Sequence, residues 1–114
     1  MSEQKSSQKT ETGTAASTAA TPFNYRLPSD VTMKHASKLA IVDDKPIMLD
    51  YWAPSLDKKA LVGARESGEK LLVKSEDEYT SSIQKFYKSG TEFIIITENS
   101  IYIVASDIPT RKIS

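Results

Sequence analysis

The sequence has no cysteine, which excludes disulfide frameworks, thiolate nucleophiles and cysteine metal sites. It has one histidine, His35. A structural zinc site takes about four ligands from cysteine, histidine or carboxylates, so zinc is disfavoured. A histidine base needs a nucleophile and an orienting acid, and no spacing in the chain sets such a group around His35. Glycine is scarce as well. Gly13, Gly63, Gly68 and Gly90 never cluster, so the glycine-rich phosphate loops of nucleotide-binding proteins are missing.

An excess of one charge sign is also lacking. The 15 basic and 15 acidic residues are intermixed. Binders of nucleic-acid backbone and polybasic membrane anchors gain affinity by neutralising anionic groups, and this chain has no surplus of cations with which to do it. No apolar run is long enough to span a bilayer. The first residues never develop a signal-peptide core, and Ser2 stands where myristoylation requires glycine. The expectation is a soluble protein, cytoplasmic or part of an intracellular particle, with no membrane partner.

Carboxylates are plentiful but sit where structure explains them. Asp43 and Asp44 precede Lys45-Pro46, a turn-like setting. Glu76, Asp77 and Glu78 read as the negative first turn of a helix rather than as a metal site or acid–base pair. No cofactor is implied.

What is present begins with a tail. Residues 1–22 are mostly Ser, Thr, Ala, Gln, Lys and Glu, too polar to offset the entropy of ordering. They read as a flexible tail or as an arm that orders against a partner. Residues 23–114 read as a single domain. Phe23, Tyr25 and Leu27 alternate as in an edge strand, and Pro28 ends that run. Ser29 or Asp30 is a candidate N-cap, and Val31, His35 and Leu39 at spacing four predict one short helix. Residues 39–42 and 47–52 read as strands around a turn. Residues 60–64 and 71–73 read as a hairpin whose loop places Gly68 where a positive φ is needed. Gly63, inside the first of those strands, marks a bulge or a close backbone approach.

Over 75–90 the period changes. Tyr79, Ile83, Phe86 and Tyr87 form one helical stripe, Ser75 and Glu78 match a capping box, and Gly90 suits a helix end. The main helix is expected there. Thr80, Ser81 and Ser82 are weak helix formers, and the other reading is a strand at 84–87 followed by a turn at 88–90. Residues 93–97 and 100–104 form the clearest hairpin, with Phe93, Ile95 and Thr97 on one face and Ile94 and Ile96 on the other. Both faces are apolar, so the pair needs cover on both sides. The 75–90 helix is expected on one side, and residues 39–73 or a partner subunit on the other. Residues 108–114 add a short strand or dock against a neighbour.

The fold class expected is α+β: a small, mostly antiparallel domain of about five to seven strands with one main helix, barrel-like closure being left open. For function the aromatics carry most weight, because large amphipathic side chains concentrate at interfaces although they also fill cores. The interface candidates are Phe23, Tyr25, Tyr51, Trp52, Tyr87 and Tyr102. They point to a non-enzymatic interaction or assembly component, such as a virion component, whose partners are other protein subunits including its own copies. Two other readings stay open. Trp52 beside Lys58 and Lys59 would suit stacking on a single-stranded nucleic acid, though balanced charge disfavours it. A small enzyme would need a pocket around His35 or paired acids.

Overall fold

The computed structural model describes residues 25–113. The tail at 1–22 and Phe23 lie outside them. The described chain is an α+β domain of two helices and seven strands: α1 (Asp30–Asp43), β1 (Ile47–Met48), α2 (Trp52–Leu56), β2 (Leu61–Ala64), β3 (Lys70–Ser75), β4 (Glu78–Ser89), β5 (Glu92–Thr97), β6 (Ile101–Ala105) and β7 (Thr110–Lys112).

The strands form one sheet in the order β1-β6-β5-β4-β3-β2-β7. The pairs from β2 to β6 are antiparallel, whereas β1 joins β6 and β7 joins β2 in parallel. The sheet does not close into a barrel, so β1 and β7 remain as edges. It does curl. Val62 and Leu72, from β2 and β3, pack against Ile95 and Val104, from β5 and β6, although β4 separates the two pairs in the strand order.

The β5–β6 hairpin is the core, with Ile94, Ile95, Ile103 and Val104 fully buried. Both of its faces are covered within the chain. On one side Ile94, Ile96, Ile101 and Ile103 meet Ala36 of α1 and Trp52 of α2. On the other, Ile95 and Val104 meet Tyr51, Val62, Leu72 and Ile108. The hairpin's face assignment agrees with the alternation in the sequence; the helix that covers it differs from the one expected.

That helix is α1. Its N-cap is Ser29, whose hydroxyl accepts from the Thr32 N–H. It continues through the residues read as a strand at 39–42, with Leu39 and Ala40 turned toward the core and Ile41 and Val42 outward. Asp44 ends it in a left-handed conformation (φ 55°), its N–H donating to Ala40 O. Asp43 and Asp44 thus belong to a helix end rather than to a turn between strands.

The expected helix at 75–90 is instead β4, a 12-residue strand. Ser75 is no helix cap: its hydroxyl accepts from the Asp77 N–H in the β3–β4 turn. Thr80, a weak helix former, turns inward and its Oγ1 accepts from Leu72 N–H. β4 pairs with β3 through its first half and with β5 through its second, with register shifts on both sides. A strand serving two layers in turn shows no clean period of two, and here the irregularity imitates a helical stripe. Gly90 (φ 61°) lies in the turn between β4 and β5.

Residues 47–52 are also shorter in strand than expected. Only Ile47 and Met48 pair, and Trp52 opens α2, which takes Pro54 in its first turn, where a missing N–H costs nothing. The β2–β3 hairpin forms as read, closed by Arg65 N–H to Glu69 O and turned at Gly68 (φ 94°).

Candidate interaction surface

The aromatic candidates separate into core and surface. Tyr51 and Trp52 are buried, at 4% and 3% exposure, and are corrected from interface to core. The physical reason is a division of labour between neighbours. Trp52 enters the cluster under α1, where its Nε1–H donates to Arg26 O (2.7 Å) and the Arg26 guanidinium lies 4.9 Å over the ring. Tyr51 enters the opposite cluster, with its ring edge-on to Tyr102 at 5.2 Å and Lys74 Nζ 4.6 Å above it. Burial first, and then the Tyr102 and Asp50 charges, push the Tyr51 hydroxyl up to about 12. With Trp52 buried, stacking beside Lys58 and Lys59 has lost its platform.

Tyr102 is half-buried against Tyr51, and burial is the main cause that raises its hydroxyl. Tyr25 is exposed and donates to Asp57 Oδ2 (2.6 Å), a bond that raises its pKa. Tyr87 is exposed on β4 opposite Ile94, at the margin of the α1-covered face. These candidates do not converge on one patch.

His35 is exposed on the outer side of α1. Glu76 and Asp77 lie in the β3–β4 turn. Among the described residues no group of three or more histidines and carboxylates is arranged to hold a metal ion. No helix of the described residues is long and apolar enough to cross a membrane.

A different surface stands out. The outer face of β2 and β3 is apolar, like their inner face. Leu61 lies opposite Val73, Gly63 opposite Leu71, and Val73 opposite Tyr79 of β4. A sheet face turned to water would ordinarily alternate to polar residues. Here the apolar face forms the floor of a groove of about 580 Å³, bounded by Leu61, Leu71, Val73, Tyr79 and Ile113 and rimmed by Lys59, Arg65, Lys74 and Glu76. This volume falls within the range of ligand-sized clefts.

Local structure explains the groove. Ile113, just past β7, folds over Gly63, where a β-carbon would lie 2.7 Å from Ile113 Cδ1. What approaches Gly63 is the Ile113 side chain rather than the backbone expected from the sequence, and Ile113 walls one side. Lys74 is held by Asp50 O (3.3 Å) and lies near two carboxylates, Asp50 at 4.0 Å and Glu78 at 3.8 Å. Arg65 Nε is 3.3 Å from Glu69 Oε1 yet makes no hydrogen bond among the described residues, although the atom is buried. The sequence did carry a signal for this surface: Leu61-Val62 and Leu71-Leu72-Val73 are continuous rather than alternating apolar runs. No protein-family model matches the chain, and neither a curated protein nor a solved structure was found to match it.

Proposed function

We propose that the chain is a non-enzymatic interaction component that contacts another polypeptide through the outer face of β2 and β3. One observation carries this reading: a two-layer domain that covers both faces of its central hairpin nevertheless leaves a second apolar sheet face only partly covered, by Ile113, with a rim of charged side chains around it. An apolar floor inside a polar rim is how protein-binding patches are built. The burial of Tyr51 and Trp52 moves the expected contact away from them and onto Leu61, Val73, Tyr79 and Ile113.

Lysines report the test. Lys59 and Lys74 border the groove, whereas Lys34 and Lys38 lie on α1. Amine cross-linking in an extract of the source cells, followed by peptide mapping, is expected to join Lys59 or Lys74 to another polypeptide. Cross-links confined to the α1 lysines, or none to any polypeptide, would remove the reading. Light scattering on the full chain and on a chain lacking residues 1–22 separates assembly through the domain from assembly through the tail.

A further inference from the structure

The groove is bordered by an open strand edge. β7 ends the strand order, and its parallel pairing sets Thr110 opposite Val62 and Lys112 opposite Ala64. The Val62 N–H donates to Pro109 O (2.9 Å), and the Ile113 N–H donates to Ala64 O (3.0 Å). In a parallel ladder this turns the backbone groups of Pro109, Arg111 and Ile113 toward β2. Those of Thr110 and Lys112 therefore point away from the sheet. Both residues are exposed. Outward N–H and C=O groups beside a side-chain pocket are what strand addition uses.

Charge selects the occupant. Arg111 lies opposite Gly63 and so shares the groove's face. Among the described residues Lys59 and Arg111 have no carboxylate within ion-pairing distance, whereas Arg65 is paired with Glu69 and Lys74 with Asp50 and Glu78. Glu76 is the one acidic side chain of the rim. A second copy adding antiparallel through β7 would set Arg111 against Arg111 of its twin or, in the next register, Lys112 against Lys112, and like charges opposed across strands repel. An acidic strand meets the reverse situation.

We propose that an extended acidic segment of another protein adds to the free edge of β7 and seats one large apolar side chain in the groove against Ile113, Val73 and Tyr79. This rests on the interaction reading above and supplies the partner's chemistry and binding mode.

Random peptides displayed on phage are panned against the full chain, and the enriched peptide is titrated by fluorescence anisotropy. The enriched sequences are expected to join Asp or Glu to a large apolar residue. Lys59→Glu combined with Arg111→Glu should weaken binding by about tenfold or more. Lys112→Pro deletes an outward N–H and leaves the β2 ladder whole, whereas Lys112→Ala loses only the charge. The proline variant should bind about tenfold more weakly than the alanine variant. Equal binding by these two, or enriched peptides without acidic residues, or indifference to charge reversal overturns strand addition. Cross-links from Lys59 or Lys74 would in that case still uphold the interaction reading. Self-association in sedimentation velocity that Lys112→Pro abolishes would assign the edge to a second copy, against the proposal. Saturable binding of a dansylated fatty acid that no enriched peptide displaces would assign the groove to a small amphiphile, also against it.

Discussion

Glu92, the first residue of β5, is 2% exposed and faces the start of α1. Its carboxylate accepts from Arg26 Nη1 (2.8 Å), from the Ser29 N–H (3.2 Å) and from the Ser29 hydroxyl (3.1 Å). Burial pushes its pKa up, but hydrogen bonds from Thr32, Arg26 and Ser29 outweigh burial and hold it below the ordinary carboxylate value. One side chain thus ties the segment before α1 to the central hairpin and supplies negative charge at the helix's positive end. Arg26 is half-exposed, so most of the effect comes from the buried acceptor and its Ser29 donors rather than from the ion pair. Replacing Glu92 with Ala should cost about 2–3 kcal/mol in urea unfolding. The pH dependence has a definite sign. A depressed folded-state pKa gives stability that is fully present above the unfolded carboxyl's value of about 4.3, and that is lost as pH falls through the lower folded value. Acid unfolding of Glu92→Gln should therefore be less steep in that window than that of the unaltered protein. An identical slope would show that Glu92 does not carry this linkage.

At the scale of elements, agreement between sequence and structure follows how many layers an element serves. The β5–β6 hairpin sits in one place, between two covers, and its alternation was readable residue by residue. Ser29 was readable as a cap because capping is local chemistry. β4 was not, because the bend that passes it from β3 to β5 breaks its period and its Thr80 contact is made by tertiary partners. α1 was read too short because Ile41 and Val42 look like strand residues, yet both stand exposed at the helix end, Ile41 at 81%. The groove was the least legible feature, since it needs Ile113 to cross Gly63, and no local pattern announces a contact between residues so far apart. That contact is testable. Gly63→Ala places its Cβ 2.7 Å from Ile113 Cδ1 and 3.1 Å from Val73 Cγ2. Ile113 must shift, and β7 should loosen from β2, seen as faster amide exchange at Ala64 and Ile113. In an Ile113→Ala background the 2.7 Å contact is gone and only Val73 Cγ2, at 3.1 Å, must give by a few tenths of an ångström, so the substitution should cost less there than in the unaltered protein. An equal effect in both backgrounds would show that Gly63 and Ile113 are not coupled.

For the whole molecule the question is whether two cores make one folding unit. Ile94 and Ile95 are neighbours in sequence, both fully buried, and point into opposite clusters. Trp52 reports the cluster beneath α1, and Tyr51 with Tyr102 reports the cluster beneath β2 and β3. The 12-residue β4 is hydrogen-bonded to both layers, so neither cluster can open without stripping partners from that strand. Two-state unfolding follows, as is usual for domains of this size. Ile94→Ala and Ile95→Ala should each cost about 2–5 kcal/mol. In both variants the urea midpoint read from Trp52 fluorescence should coincide with that read from near-ultraviolet tyrosine dichroism. Separate midpoints, with Ile94→Ala moving only the tryptophan transition, would divide the domain at β4. That division would also bear on the groove, since it would leave β2, β3 and β7 free to open while α1 stays folded on the hairpin. Coincident midpoints in both variants would make the groove as rigid as the core behind it, a preformed surface for an incoming strand.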